Sequence, residues 1–346
     1  MKRVIKKYAL NILWIILFAI IAIYFSLRGE YQDIMAVLGG IDVFWLIVII
    51  LLAIVPYLFD GLILTIFARI YKKTYRLKQG IVNALSGGFF NGITPFASGG
   101  QFAQVYIFKK QGVETTSGIG ILLMNFIVYQ IAMVFYTLLI LIFKFNKFYT
   151  EFSSFVSLAL IGFAINAVVI FGLLFGAISH RFQRFLTGTV LLIGHKLHIV
   201  KNYEVSKVNL DQKILDFRRE LGIMSKHKGT IAVIFVLFLI RLTILYSIPF
   251  FTMLSLGRSL PFSEYFDYVG ISAFIYMITS FIPIPGASGG SEATYVLLYS
   301  YVMGNVMASS SMLIWRFATY YLVMLAGGLT FSLNREINRR TGDELL

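Results

Sequence analysis

Residues 95–103 read PFASGGQFA, and residues 285–293 read PGASGGSEA. At a constant offset of 190 residues, Pro95 matches Pro285, Ala97 matches Ala287, Ser98 matches Ser288, Gly99 matches Gly289, Gly100 matches Gly290 and Ala103 matches Ala293. Self-similarity at one fixed offset is the mark of a duplicated structural unit. Proline lacks the amide donor that a helix interior needs and glycine weakens the helix, so each copy predicts a break in its surroundings. Those surroundings are apolar, about 80–108 in the first copy and about 264–303 in the second. Each is read as a re-entrant hairpin of two half-helices.

Uninterrupted apolar runs flank the hairpins, near 8–27, 43–68, 117–143, 155–178, 229–256 and 306–331. At 1.5 Å per residue, a run of about 20 residues crosses a hydrocarbon core of about 30 Å. The same offset carries the run at 43–68 onto 229–256, and the run at 117–143 onto 306–331. The predicted fold class is an all-α polytopic membrane protein with six transmembrane helices and two re-entrant broken-helix hairpins. Residues 1–150 form the first repeat and 151–346 the second. Each repeat crosses an odd number of times, so the second is inverted and the hairpin tips approach each other near the midplane. That arrangement is expected of alternating-access transporters.

Composition and charge agree. The chain has 58% hydrophobic and 13% charged residues and a mean hydropathy of +0.82, whereas soluble domains carry roughly 25% charged residues. A soluble globular protein is excluded. The absence of cysteine removes disulfides, thiolate metal sites and a cysteine nucleophile. The first run follows Lys2, Arg3, Lys6 and Lys7 and ends in Phe25-Ser26-Leu27-Arg28 without a small-x-small cleavage pattern, so it is read as a retained span. The net charge of +14 comes from 30 Lys and Arg. All of them except Arg28, Lys144, Lys147, Arg258 and the in-span Arg241 and Arg316 fall on one side of the predicted topology. By the positive-inside rule that side is the cytoplasm, where both termini lie. The charge is explained without a nucleic-acid partner.

Four ionisable residues lie within the apolar stretches: Asp60, Arg241, Glu292 and Arg316. A charge at the bilayer centre costs about 2.5–3.5 kcal/mol on insertion scales, so such residues pair with one another or line polar cavities. The expectation is one common polar cavity; the bland alternative is that the pairs only hold helices together. In both hairpins the Ser-Gly-Gly turn precedes a half-helix whose first N–H groups attract an anion such as phosphate. Pro95, Gly99 and Gly100 in the first hairpin and Pro285, Gly289 and Gly290 in the second shape those turns, unless they serve close packing alone. Asn91, Thr94 and Gln101 add neutral hydrogen-bonding groups. Residues 181–228 are rich in Lys and Arg, with Phe182, Phe185, Leu186, Val190, Ile193 and Leu197 at helical spacing. They read either as a basic amphipathic segment on anionic lipid or as a solvated connector. His180, His195, His198 and His227 lie here without a completing ligand set, so no metal or other cofactor is expected. No nucleophile elbow, P-loop or H-E-x-x-H motif is present.

The pairing of NGITPFASGGQ at 91–101 with FIPIPGASGGSEA at 281–293 resembles the membrane domain of the lysylphosphatidylglycerol synthase/flippase family. The resemblance implies a role with phospholipid or glycolipid in a bacterial cell membrane, where the bifunctional members move aminoacylated phospholipid between leaflets and lower sensitivity to cationic antimicrobial peptides. It also implies that the family's polar hairpin positions fall on Asn91, Pro95, Gly99, Gly100, Gln101, Pro283, Pro285, Gly286, Gly290 and Glu292. The synthase activity of that family belongs to a soluble C-terminal aminoacyltransferase domain, and this chain stops 15 residues after its last run. The expected function is a lipid flippase for an anionic, aminoacylated or glycosylated lipid. The alternatives are a membrane-embedded transferase using Glu292 or Asp60 as base and a scaffold for lipid-synthesis enzymes. Self-association into a homo-oligomer is left open.

Overall fold

The computed structural model describes residues 31–95, 98–151, 162–169, 171–172, 175, 179–196, 202–280, 282 and 284–338. The run expected at 8–27 lies outside the described residues, as does most of that at 155–178 and as does Pro283. Among the described residues all regular structure is helical. In chain order the main elements are α1 (Tyr31–Gly39), α2 (Val43–Tyr71), α3 (Leu77–Gly92), α4 (Ser98–Lys110), α5 (Thr115–Glu151), α6 (Tyr203–Ser225), α7 (Lys228–Ser255), α8 (Tyr265–Thr279), α9 (Gly290–Met303), α10 (Asn305–Arg316) and α11 (Leu322–Leu333). A π-helical turn, Phe317–Tyr321, joins α10 to α11. Short helical pieces cover His180–Arg184, Phe185–Val190 and Leu191–Lys196.

Four described segments are long and apolar enough to cross a membrane: Val43–Tyr71, Thr115–Lys144, Lys228–Ser255 and Asn305–Leu333. They match the expected runs at 43–68, 117–143, 229–256 and 306–331. Large apolar side chains such as Val43, Ile47, Leu51 and Leu58 on α2, and Val233 and Val236 on α7, point outward. An apolar exterior of this kind suits a lipid surround. The interrupted stretches are pairs of shorter helices. α3 has 16 residues, α4 has 13, α8 has 15 and α9 has 14, each below the ~20 residues a full crossing needs. The described residues of the helix breaks are Ile93–Pro95 in the first pair, and Ser280, Ile282 and Ile284–Gly289 in the second.

In lipid, helices gain little from hiding apolar surface from one another, so close packing at small residues carries the association. α2 and α3 meet at glycines: a Cβ on Gly80 would stand 2.2 Å from the Gly61 carbonyl oxygen. α3 also packs on α11, where a Cβ on Gly327 would stand 2.3 Å from the Leu85 carbonyl oxygen, and Phe90 meets Phe331 edge-on at 4.9 Å. Under the 190-residue offset α8 and α5 correspond to α3 and α11. These too pack together, with Lys144 Nζ 2.8 Å from Asp267 Oδ1.

α2 and α7 form the centre and run antiparallel. The Asp42 N–H, just before α2, donates to the Ser255 carbonyl at the end of α7 over 2.8 Å. Trp45 faces Phe251, with ring centroids 5.7 Å apart. α6, the polar helix of the connector, docks on the ends of α2 and α5. The Tyr71 hydroxyl donates to the Glu220 carboxylate, which fills the space left by the missing side chain of Gly120. Burial pushes the Glu220 carboxyl above its ordinary range, against the opposing pull of the Tyr71 hydrogen bond and of Arg219.

Candidate functional site

The first break is closed by the chain's own side chains. The Gly99 N–H donates to Thr94 Oγ1 over 2.8 Å, and the Gly100 N–H donates to Asn91 Oδ1 over 3.0 Å. These are two of the orphan donors at the start of α4. Glycine is required at position 100, because a Cβ there would stand 2.0 Å from Asn91 Oδ1. The Ser98 hydroxyl turns back to the Pro95 carbonyl at 2.9 Å. Asn91 and Thr94 therefore act as helix caps, and the donors of Gly99 and Gly100 are already used. Gln101, one residue on, is exposed to a cavity.

The second break bends through left-handed backbone at Gly286 (φ 61°), Ala287 (φ 51°) and Gly289 (φ 86°). A left-handed alanine costs roughly 1–2 kcal/mol. What holds it is Arg316, from the end of α10. Arg316 Nη2 donates to the Gly286 carbonyl at 2.8 Å and to Ser288 Oγ at 2.9 Å, its Nε lies 2.8 Å from Glu292 Oε1, and its plane stacks 3.9 Å from the centre of the Tyr320 ring. The other Glu292 oxygen, Oε2, accepts from the Gly289 N–H and the Ser291 hydroxyl, each at 2.8 Å. Glu292 is 2% exposed and both its oxygens are engaged. The Tyr320 hydroxyl then donates to the Gly92 carbonyl over 2.9 Å, so one π-helical residue links the two breaks. π-turns in membrane helices concentrate at functional sites.

The second ion pair joins the central helices. Arg241 Nε lies 2.7 Å from Asp60 Oδ1 and Nη2 donates to Oδ2 over 2.9 Å, a fork-on-fork contact. The guanidinium also lies 5.6 Å from the Tyr129 ring centre. The four in-span charges thus resolve into two pairs rather than one cluster, and each pair is neutral as a whole.

Two adjoining cavities separate the pairs. The larger, about 370 Å³, is lined by Asp60 and Arg241 together with Asn91, Gln101 and residues of α5. The smaller, about 260 Å³, is lined by Gly286, Ser291, Arg316 and Tyr320. Tyr57, Gly88 and Asn91 border both. A family model described as the lysylphosphatidylglycerol synthase TM region matches residues 12–327. The chain belongs to this family. No curated protein and no solved structure matches it. Membership establishes a membrane protein with a lipid-related role.

For this member of the lysylphosphatidylglycerol synthase TM family, the structure brings Asp60, Asn91, Gln101, Arg241 and Arg316 to the cavities. It leaves Gly99 and Gly100 in the first turn of α4, Gly290 and Glu292 in the first turn of α9, Pro95 in the first break and Pro285 and Gly289 in the second. Sequence reasoning missed Tyr57, Gln104, Asn125, Tyr129 and Gln130 in the larger cavity and Tyr320 between the breaks. Asn125 and Gln130 carried a usable signal, being amides inside an otherwise apolar run. Among the described residues, no three His, Asp or Glu side chains gather as a metal set.

Proposed function

We propose that this chain moves a polar-headed membrane lipid between leaflets, with the headgroup passing through the two adjoining cavities. The observation that carries the reading is the position of those cavities between both helix breaks and beside Arg241, which lies near the middle of the 28-residue α7. At 1.5 Å per residue that is about 20 Å from either end. Irregular backbone at such depth persists where it lines a cavity or is buried in protein. The antiparallel α2–α7 contact and the matching α3–α11 and α5–α8 contacts support an inverted repeat, in which one half rocks against the other around a fixed site. The exposed Phe185, Val190 and Ile193, with the basic residues around them, support a segment lying on anionic lipid.

A transferase needs a free base beside the lipid. Asp60 is held by Arg241, and Glu292 is saturated by Arg316, Gly289 and Ser291. Neither presents a carboxylate oxygen that is not already engaged by the protein, which favours transport over group transfer. The test is reconstitution of the purified chain into vesicles with fluorescent lipids, followed by mass analysis of the recovered lipid. A transporter speeds leaflet exchange and returns lipid of unchanged mass. A changed mass would assign an enzyme, and exchange no faster than in protein-free vesicles would remove the reading.

A further inference from the structure

The larger cavity has a lining that a charged headgroup does not explain. Five carboxamides face it: Asn91, Gln101, Gln104, Asn125 and Gln130. Aromatic faces or edges complete it at Tyr57, Phe126, Tyr129 and Phe238. Among the described residues, the ionic groups lining it are Asp60 and Arg241, which neutralise each other at 2.7 and 2.9 Å. In the smaller cavity Arg316 is neutralised by Glu292 at 2.8 Å. A headgroup with net charge meets pairs that are already neutral: a cation would have to break one of them to find a counter-ion, and an anion finds the single Arg241 donor left over from its pair, Nη1.

Carboxamides offer the opposite chemistry. Each carries an acceptor oxygen and two N–H donors, so it can both give to and accept from a hydroxyl, whereas a phosphate or carboxylate uses only donors and an ammonium only acceptors. Some of that capacity is already committed. Gln130 Nε2 donates to Asn166 Oδ1 over 2.9 Å, and Asn91 Oδ1 caps Gly100. The Gln130 oxygen and the Asn91 amide nitrogen remain as an acceptor and a donor among the lining residues. Aromatic faces add an apolar platform for the C–H face of a ring bearing hydroxyls.

We propose that the larger cavity is a site for a neutral, hydroxyl-rich headgroup, a glycosyl or polyol moiety, rather than for a net-charged one. This rests on the translocation reading and names the class of lipid it would act on. The shared chemistry is the hydroxyl array, which could be lipid-borne or a free sugar, and the experiment separates the two.

Vesicles containing the full chain receive, in parallel, fluorescent glucosyl diacylglycerol, fluorescent phosphatidylglycerol or a fluorescent aminoacyl phosphatidylglycerol, with and without a large excess of free disaccharide. Leaflet exchange is read by a membrane-impermeant quencher. The glucosyl lipid is expected to exchange at least tenfold faster than either charged lipid, and free disaccharide is expected not to compete. Gln101→Leu combined with Asn125→Leu is expected to remove that preference, because leucine keeps the volume and loses both donor and acceptor. A separate binding readout offers the chain an equimolar mixture of the three lipids in nanodiscs and identifies what is retained by mass. Selective retention of the glucosyl lipid without exchange would sustain the headgroup assignment while removing the transport reading. Equal or faster exchange and retention of a charged lipid, or equal loss for all lipids in the double variant, would overturn the assignment. Competition by the disaccharide would reassign the site to a soluble sugar.

Discussion

Replacing Glu292 by Gln keeps the size of the side chain and removes its charge, and the structure sets the consequence. The carboxylate serves two masters: Oε1 faces Arg316 Nε, and Oε2 accepts from the Gly289 N–H and the Ser291 hydroxyl. A carboxamide has one acceptor. If its oxygen faces Arg316, its NH2 confronts the Gly289 donor; if it flips, its NH2 confronts the guanidinium. Either way Arg316, 6% exposed, loses its counter-charge. Removing one partner of a buried pair costs about 3–5 kcal/mol. At roughly 2 °C per kcal/mol, the lower end of the range for chains of about 150–250 residues and the one suited to this longer chain, the midpoint of thermal unfolding in nanodiscs should fall by about 6–10 °C. Removing both charges, in Glu292→Gln with Arg316→Met, should recover at least half of that loss. Because the defect is structural, transport of every lipid should fall with the amount of folded protein. An unchanged midpoint together with loss confined to ammonium-bearing lipids would refute the reasoning and make Glu292 a headgroup sensor.

Gly327→Ala should destabilise the α3–α11 contact by about 1–3 kcal/mol, since its new Cβ stands 2.3 Å from the Leu85 carbonyl oxygen. Gly222→Ala on α6, where the added Cβ would meet nothing within 4 Å, should instead stabilise by about 0.5–1 kcal/mol, and thermal midpoints of the two variants will show whether they part in sign. Docking of α6 should depend on pH. The Glu220 carboxyl is raised in the folded chain, so it contributes stability that is fully present below its ordinary value of 4.5 and is lost as pH rises through the elevated folded value. Protection factors in α6, corrected for the intrinsic pH dependence of amide exchange, should therefore fall from mildly acidic to neutral pH, and Glu220→Gln should flatten that dependence; protection that rises with pH would contradict it. Asp60→Leu combined with Arg241→Leu should fold better than either single variant, as judged by detergent-extracted monodisperse protein, because the single changes strand a charge and the double change does not.

The helix breaks were legible because proline and glycine act locally and the two copies repeat at one offset. The long helices were legible because their apolar runs exceed the membrane span, and their ends moved by only a few residues except at α5, which continues to Glu151 past the expected 143. Charge pairing was not legible. Two acids and two bases allow alternative pairings, and the observed choice of Asp60 with Arg241 follows from the antiparallel seating of α2 on α7, which no local pattern encodes. Free N–H groups at the half-helix starts were expected to hold an anion; those of Gly99, Gly100 and Gly289 are taken by Thr94, Asn91 and Glu292. The sequence held these capping residues in view but not their direction. Tyr320 had no signal, since its role arises only when a π-turn brings it between Arg316 and the Gly92 carbonyl.

Passage of the headgroup through the larger cavity can be tested at one position. The native chain has no cysteine, so Asn125→Cys supplies a single thiol in the cavity wall. Reaction with a bulky methanethiosulfonate fills the space, and a reducing agent empties it again. Leaflet exchange by the reconstituted protein should fall to the rate of protein-free vesicles on modification and return on reduction. Exchange that continues unchanged with the thiol fully modified would contradict the cavity as the route.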